Sequence, residues 1–427
     1  MTPKQLRAAV DEAVAQTKVF DVHTHLYDAN FKLLLWGVDE LLTYHYLIAE
    51  FFRQAPEVSY DTFWALSKRE QADLIWDRLF LEHSPLSEAT CGILTTLQAL
   101  GIDMSCHDLR HRDLGAARDY FAQARLHSHI NKVFELANLE AVVMTNDPFD
   151  DAERAVWMKG MRRDERFHAA LRIDTLLNTG DTFLPQLADQ GYRVTRDFNE
   201  VTCAGIHHFL SDWAERMNPL YLAVSLPPTF RFPEDMSCHD TSCHDSIRGR
   251  VLQECVLPFA RERNLPLALM IGVKKLTNPE LRLGGDSVGK AQIETIEYLC
   301  VNYPDNKFLV TMLSRENQHE LCVAARKFRN LIIFGCWWFL NNPSIIEEIT
   351  RERLELLGTS FIPQHSDARV LDQLVYKWAH SRRVIAGVLY DRYADLVRAG
   401  WPLSPADIAR DVRDLFADNF KRFVGLA

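Results

Sequence analysis

The sequence has no uninterrupted apolar run long enough to cross a membrane, and it has no excess of positive charge. A membrane-spanning helix needs about 18 or more consecutive apolar residues, and no stretch reaches that length without charged residues. The 58 Asp and Glu residues outnumber the 48 Lys and Arg residues, giving a formal net charge of -10. Nucleic-acid-binding proteins concentrate positive charge on one face. We therefore expect neither a nucleic-acid nor a membrane partner, whereas a small anionic substrate needs only one or two arginines.

Cysteine is too sparse for a disulfide framework. Nine cysteines among 427 residues, an odd number, are typical of reduced thiols, as at Cys336 within F-G-C-W-W-F. The opening M-T-P-K-Q-L-R-A-A-V-D-E alternates charged residues with short apolar steps, unlike the apolar core of a signal peptide. Hydrophobic residues at 47% and charged residues at 25% are typical of a globular chain. We expect a cytoplasmic protein, and a homo-oligomer.

Eight short runs of β-branched or apolar residues end in polar residues, and most are followed by a helix-like segment. Such runs predict a parallel sheet covered by helices on both faces. Eight of them favour a (β/α)8 TIM-type barrel within the α/β class, and an open doubly wound sheet is the alternative. The runs are 19–25, 141–146, 167–174, 221–226, 266–273, 307–313, 331–337 and 359–366.

A large helical segment separates the first run from the second. Residues 26–138 contain several helix-like stretches, which is far longer than an ordinary connection between a strand and a helix. We interpret this segment as a helical insertion that roofs the active site, because loops after barrel strands surround that site. The predicted organisation is 1–25 for the first helix and strand, 26–138 for the lid, and 139–427 for the remaining barrel.

The tetrapeptide S-C-H-D occurs three times, at 105–108, 237–240 and 242–245. Two closely spaced Cys-His pairs raise the possibility of a zinc site. Their spacing lacks the paired Cys knuckles of a zinc finger, however, and the last two copies follow a polar stretch. We favour an exposed loop insertion over a zinc site.

The first run ends in D-V-H-T-H, which contains His23 and His25. Side chains alternate along a strand, so these two imidazoles lie on one side and can share a divalent ion. A pair of hydrogen-bonded or surface histidines is the alternative. Asp367, at the end of the last run, reaches the first strand when a barrel closes, and can complete the site. An N-cap role is the alternative for Asp367, and His365 is a further possible ligand.

Two arginines follow the ends of predicted strands, Arg172 in A-L-R-I-D and Arg369 in H-S-D-A-R. Arginine at a barrel mouth can bind a substrate carboxylate through two parallel hydrogen bonds. Either arginine could instead pair with a neighbouring carboxylate such as Asp174. His45 and Tyr46, on the first helix of the predicted lid, are candidates for proton transfer, although neighbouring residues on one helix cannot all face the same way.

Five motifs, in order, resemble the uronate isomerases, a family of the amidohydrolase superfamily. The similarity covers essentially the whole chain, and each motif is weak alone but the set is specific. The motifs are D-V-H-T-H-L at 21–26, Y-H-Y at 44–46, A-L-R-I-D at 170–174, F-G-C-W-W-F-L-N-N at 334–342 and H-S-D-A-R at 365–369.

The resemblance implies reversible aldose-ketose conversion of D-glucuronate to D-fructuronate and of D-galacturonate to D-tagaturonate. It implies His23, His25 and Asp367 as ligands of one divalent metal ion. His45, Tyr46 and Asp367 would transfer protons. Zinc suits such ligands best, with manganese or iron as alternatives. The implied partner is a small uronic acid, with the substrate contacts Arg172, Arg369 and Trp378.

The sequence departs from the family pattern in the fifth run. Many members have a histidine where this chain has Met270, in A-L-M-I-G, and a thioether is a poor ligand for such an ion. The fourth run, Y-L-A-V-S-L, has no lysine to bridge two metals. One metal is therefore expected. The competing functions are a metal-dependent hydrolase of the same superfamily, acting on a small acid, amide or lactone, and a non-catalytic sugar-acid-binding scaffold.

Overall fold

The computed structural model describes residues 1–103, 113–160, 162–196, 198–233 and 244–426. The fold is α/β, and its strands coincide with seven of the eight apolar runs, with two short strands in addition. The strands are β1 Val19–Thr24, β2 Leu139–Asn146, β3 Phe167–Arg172, β4 Leu222–Leu226, β5 Leu267–Ile271, β6 Val273–Lys274, β7 Ser287–Val288, β8 Phe308–Met312 and β9 Leu331–Ile333.

Seven strands form one parallel sheet in the order β1-β2-β3-β4-β5-β8-β9, so each strand pairs with the next long strand along the chain. Every residue of β1, β5 and β8 is buried. The sequences of β5 and β8 are accordingly apolar nearly throughout, whereas β1 also buries the polar residues Asp21, His23 and Thr24. Strands β6 and β7 form a small antiparallel pair directly after β5. The parallel order brings the carboxyl ends of all seven strands to one edge.

The eighth run does not form a strand among the described residues, although a strand was predicted at 359–366. It makes a single bridge between Phe334 and Ile362, and Ile362 donates to Ile333 O at 3.0 Å. Just beyond this, the N–H of Asp367 donates to His23 O at 3.2 Å. The segment is thus hydrogen-bonded to the last strand and to the first. The sheet is therefore curled and barrel-like, and irregular backbone replaces the eighth strand.

Helices cover the sheet and fill the region between β1 and β2. They are α1 Pro3–Gln16, α2 Val38–Leu42, α3 His45–Gln54, α4 Tyr60–Ala65, α5 Lys68–Trp76, α6 Glu88–Ala99, α7 Gly115–Gln123, α8 Leu126–Ala137, α9 Asp151–Lys159, α10 Asp174–Asn178, α11 Phe183–Asp189, α12 Glu200–Met217, α13 His244–Arg250, α14 Leu257–Glu262, α15 Ile293–Asn302, α16 Gln318–Ala325, α17 Pro343–Leu357, α18 Gln373–Arg398, α19 Pro405–Arg413 and α20 Asn419–Val424. Among the described residues, no helix has the length and apolar character needed to span a membrane.

The helices between β1 and β2 have a hydrophobic core of their own. Buried side chains of α2, α3, α5 and α6, among them Leu41, Phe51 and Ile75, pack together, and Val370 joins them from the segment before α18. The main core lies between the sheet and the outer helices. The boundary of the predicted lid at 26–138 stays a prediction. The S-C-H-D copies at 105–108 and 237–240 lie outside the described residues, as do Ser242 and Cys243 of the third copy.

Candidate active site

The imidazoles of His23 and His25 and the carboxylate of Asp367 converge at the end of β1. The ring centroids of His23 and His25 lie 5.3 Å apart. Asp367 Oδ1 lies 3.6 Å from His23 Nε2 and 3.3 Å from His25 Nε2. One ligand atom from each residue lies within 4.8 Å of the other two. The sequence predicted the proximity of His23, on β1, and His25, directly after it, from their spacing, and that of Asp367 from the expected closure of the sheet.

The backbone at Asp367 is unusual. Its φ is 52°, a left-handed conformation that Asp adopts more readily than most residues. The N–H of Asp367 donates to His23 O, which holds the carboxylate beside the histidines of β1. Helix α18 begins at Gln373 and its N-cap is Asp372, so Asp367 is not the N-cap residue. The alternative interpretation of Asp367 as a helix cap therefore does not apply.

Hydrogen bonds on the outer nitrogens orient both imidazoles. Thr145 Oγ1 donates to Thr24 O at 2.9 Å and lies 3.1 Å from His25 Nδ1. Tyr221 Oη donates to Val22 O at 2.7 Å and lies 3.4 Å from His23 Nδ1. Because each hydroxyl has already given its proton to a carbonyl, it is left to accept from Nδ1–H. This assignment places the lone pair of each Nε2 toward Asp367.

The electrostatics of this cluster call for a cation. Burial, followed by the charge of His25, lowers the pKa of His23 to about 3. The pKa of His25 is also lowered well below its usual value, first by burial and then by Arg369. Asp367 Oδ1 is buried and has no hydrogen-bond partner among the described residues. Two neutral imidazoles and one carboxylate oxygen that point together repel one another, and they fit a divalent metal ion.

Asp21 lies behind the cluster, and sequence reasoning assigned it no role. Ser366 N–H donates to its Oδ1 at 3.0 Å, and the indole N–H of Trp378 donates to its Oδ2 at 2.9 Å. Burial raises the pKa of Asp21 to about 6, and these hydrogen bonds oppose the rise. The carboxylate thus joins β1 to the segment that carries Asp367. The sequence could have indicated this role, because Asp21 lies two residues before His23 and therefore on the same side of the strand.

The position of Trp378 does not support the predicted substrate contact. Its side chain is only 2% exposed and packs in the main core, and its N–H is bonded to Asp21. The indole is enclosed by the protein and has no free polar group to offer to a sugar. Trp378 therefore supports the site from behind.

The two predicted arginines differ in their partners. Arg172 Nε lies 3.2 Å from Asp174 Oδ2, and its Nη2 lies 3.2 Å from Asp174 Oδ1. Asp174 is the main cause that raises the pKa of Arg172. Arg369 makes no salt bridge among the described residues, and its Nη2 lies 3.5 Å from His25 Nε2. Arg369 is thus the arginine whose guanidinium lies against the cluster.

His365 lies beside the cluster without joining it. Its ring centroid is 5.2 Å from that of His23, and neither ring nitrogen has a hydrogen-bond partner among the described residues. Burial lowers the pKa of His365 to about 3, so the ring is neutral. Gly335 faces this ring so closely that a Cβ at position 335 would lie 1.9 Å from His365 Cδ2.

His45 and Tyr46, the first two residues of α3, line a cavity of about 310 Å³ next to the cluster. Trp338 and Phe339 stack on its wall with centroids 4.8 Å apart, and Glu88 also lines it. Burial, then Arg369 and Lys377, lower the pKa of His45 well below its usual value. Burial, then Tyr44 and Asp367, raise the pKa of Tyr46.

Lys275 is a cation at this mouth that sequence reasoning missed. It follows β6, its Nζ lies 2.8 Å from Asp286 Oδ2, and the same atom lies 5.7 Å from the centroid of Trp338. Its charge also lowers the pKa values of His25 and His45. Its place directly after the fifth apolar run was a usable signal.

Comparison with known proteins connects this site to a family. No family model matches the chain, and no curated protein matches it. Among solved structures, a uronate isomerase from Bacillus halodurans C-125 is 55% identical, with a TM-score of 0.94 over 100% of this chain and 97% of that chain. The chain belongs to the uronate isomerase family. It is accordingly an isomerase, as the five motifs implied.

More distant uronate isomerases share the fold. The Thermotoga maritima uronate isomerase is 16% identical with a TM-score of 0.78, covering 98% of this chain and 97% of that chain. The Caulobacter crescentus glucuronate isomerase is 15% identical with a TM-score of 0.78, covering 99% and 94%. At these identities the likeness concerns the fold alone.

Proposed function

We propose that this uronate isomerase interconverts D-glucuronate with D-fructuronate, and D-galacturonate with D-tagaturonate. The observation that carries the proposal is the 55% identity, over the whole chain, to a uronate isomerase. The cluster of His23, His25 and Asp367 beside a cavity supports it, because such a site provides both charge stabilisation and proton carriers. A metal-dependent hydrolase on the same fold is the less favoured alternative.

We propose one divalent ion, held by His23, His25 and Asp367. Two imidazole nitrogens and one carboxylate oxygen suit zinc best. When bound, the ion supplies positive charge that stabilises the negative charge developing on the substrate oxygens. Met270 is buried on β5, and its thioether adds no nitrogen ligand to this site.

We assign the carbon-bound proton to Tyr46. Burial, followed by the charges of Arg369 and Lys377, opposes a positive charge on His45 and lowers its pKa, so accepting a proton costs His45 more than it would in water. Tyr46, once its phenol proton has passed to solvent, removes the C2 proton. The electron pair of that C–H bond forms the C1–C2 double bond of an enediol, and Tyr46 then returns the proton to C1. His45 hydrogen-bonds the sugar, and Asp367 moves the hydroxyl proton between neighbouring oxygens.

Arg369 is the stronger candidate for binding the C6 carboxylate. Arg172 is occupied by two contacts with Asp174, whereas Arg369 makes no salt bridge among the described residues. A guanidinium without a carboxylate partner can bind a substrate carboxylate through two parallel hydrogen bonds. In this proposal Arg172 and Asp174 form a pair that shapes the mouth beside it.

We also propose how the chain encloses the site. Segment 359–366 closes the sheet into a (β/α)8 barrel, and the helices between β1 and β2 roof its mouth. The bonds from Ile362 to Ile333 and from Asp367 to His23 support closure. The position of His45 and Tyr46 on α3, lining the cavity, supports the roof.

The reaction is tested by incubating the purified protein with each uronate and detecting the product by chromatography. We expect the ketose from at least one substrate, and an equilibrium mixture reached from either direction. Release of an acid from a lactone or amide, with both uronates untouched, would instead establish the hydrolase.

The metal site is tested with an Asp367→Asn variant and, as a control, Asp395→Asn, which changes an exposed aspartate paired with Arg398. We expect Asp367→Asn to lose the bound ion and to reduce turnover by at least about a hundredfold, while the control keeps both. Wild-type protein whose metal has been removed with a chelator should regain turnover when zinc is added, or when manganese or iron is added if one of these is the native ion. Full turnover without any bound ion would contradict the proposal.

A further inference from the structure

A buried lysine lies behind the cavity, and the proposed reaction does not use it. Lys377, on the first turns of α18, is only 3% exposed. Its Nζ lies 5.6 Å from the ring centroid of Tyr46 and 5.6 Å from that of Tyr376. No carboxylate forms a salt bridge with it among the described residues. An ammonium group in this position therefore rests on aromatic faces.

Such a placement is unfavourable unless something compensates for it. Removing an ammonium group from water costs several times more than a single hydrogen bond returns, and a paired carboxylate is the usual remedy. Here the two tyrosine rings supply part of the compensation through cation–π attraction. Glu88 supplies charge at longer range, since Lys377 lowers the pKa of Glu88 against the effect of burial. A leucine or methionine would fill the same space without this penalty.

The charge of Lys377 opposes the effect that the surroundings of Tyr46 have on the pKa of its hydroxyl. Burial and the charges of Tyr44, Asp367, Tyr376 and Glu88 all raise the pKa of Tyr46. Each of them opposes the loss of a proton from its hydroxyl. A cation against the ring acts in the opposite direction, because an ionised phenol has a more electron-rich ring and attracts the cation more strongly.

We propose that Lys377 is a positioning residue for Tyr46: its ammonium group holds the ring toward the cavity and stabilises the ionised form that removes the C2 proton. The inference rests on the proposed role of Tyr46. It assigns Lys377 an action through Tyr46, with no contact to the substrate. The lysine keeps its own proton throughout, so the proton that leaves C2 goes to Tyr46 and returns to C1.

The test is a double-mutant cycle on metal-loaded protein with Lys377→Met, Tyr46→Phe and the variant that carries both. Turnover, KM and exchange of the C2 hydrogen with solvent are measured for each. We expect Lys377→Met to reduce kcat and C2 exchange by about tenfold, with KM changed less than about twofold. In the Tyr46→Phe background the same change should have almost no further effect, because the group that it serves is gone.

Two variants control for folding and for loss of a lysine that lies over an aromatic ring. Lys377→Arg keeps the charge over the ring and should restore most of the exchange rate, with metal content and circular dichroism unchanged. Lys132→Met removes a lysine that lies 5.0 Å from the Tyr120 ring, away from the cavity, and should leave kcat unchanged.

An equal effect of Lys377→Met in both backgrounds would overturn the inference, because it would show a structural role. So would an unchanged exchange rate, or a loss that Lys377→Arg does not rescue. Failure of the wild type to isomerise either uronate would overturn the proposed function, and this inference with it. That failure shows in the first measurement and is therefore distinguishable.

Discussion

Asp21 illustrates how a residue without substrate contact can decide the geometry of the site. Its two carboxylate oxygens accept from Ser366 N–H and from the Trp378 indole. Ser366 precedes Asp367, and the indole belongs to α18. One buried carboxylate therefore connects β1 with the two segments that complete the site. The arrangement satisfies every oxygen through donors alone, so it requires an acceptor at both positions.

We predict that Asp21→Asn lowers the free energy of unfolding by about 1–3 kcal/mol and reduces turnover, since the new amide NH2 opposes one of the two donors. Trp378→Phe removes one donor, keeps an aromatic ring, and should lower stability in the same direction. Urea unfolding measures both changes. Trp401→Phe, at a tryptophan that is 63% exposed, is the control. Unchanged stability in Asp21→Asn would show that the carboxylate is not a structural connection.

At this scale, the sequence predicted residue types better than residue roles. The alternation of His23 and His25 and the position of Asp367 followed from strand periodicity and sheet closure. The burial of Trp378 and the role of Asp21 did not, because they depend on which donor meets which acceptor across more than 340 positions of sequence. The cluster contains Asp367 and not His365 among the described residues, and the choice between them as metal ligands stays a prediction.

At the scale of elements, the eighth run shows where periodicity fails. Seven apolar runs became strands because each pairs with a neighbour in regular register. The run at 359–366, T-S-F-I-P-Q-H-S, is more polar, and it contains Pro363, which lacks an N–H to donate to a neighbouring strand. It still lies between β9 and β1, and its irregular backbone gives Asp367 the left-handed conformation that turns its carboxylate toward the histidines.

Gly335, which lies two residues after β9, also has an unusual backbone conformation that affects the site. Its φ is 67°, and a Cβ there would meet the His365 ring. We predict that Gly335→Ala displaces His365 and reduces both stability and turnover. Gly358→Ala is a matched control, because Gly358 has a φ of 62° but nothing within 4 Å of its added Cβ. The control should lose only the cost of placing an alanine at the positive φ of Gly358, about 1–3 kcal/mol.

Thermal unfolding and steady-state turnover of the two alanine variants distinguish the cost of an alanine at positive φ from the cost of the steric clash with the His365 ring. Equal losses in Gly335→Ala and Gly358→Ala would show that the His365 ring moves aside freely. A larger loss in Gly335→Ala, concentrated in turnover, is the expected result.

At the scale of the whole molecule, α18 joins parts of the chain that are far apart in sequence. Asp372, its N-cap, lies 2.5 Å from His129 Nε2 and accepts from Gly37 N–H at 2.9 Å. The helices between β1 and β2 are thereby attached to the end of the barrel-like sheet where the site lies. The sequence predicted the helical segment from its length, but not these attachments, because a buried His–Asp pair leaves no periodic pattern.

Arg382 makes the equivalent connection at the opposite end of the molecule. From α18 it donates to the carbonyl oxygens of Val14, Thr17 and Asn138, the last at 2.9 Å, which lie just before β1 and β2. Burial lowers the pKa of Arg382 to about 10, so these carbonyls compensate for an ion taken from water. Because they lie at the amino ends of the strands, they hold the first and last parts of the chain together without touching the site.

We predict that Arg382→Met lowers the free energy of unfolding by about 2–4 kcal/mol, because three part-buried carbonyls lose their charged donor, while kcat measured well below the melting temperature stays unchanged. Urea unfolding and uronate turnover on the same preparations test both parts. Arg392→Met, which removes an exposed arginine paired with Asp395, should change stability by less than about 1 kcal/mol. A fall in kcat with stability intact would mean that the two ends of the sheet are coupled, and that closure of the chain controls the site itself.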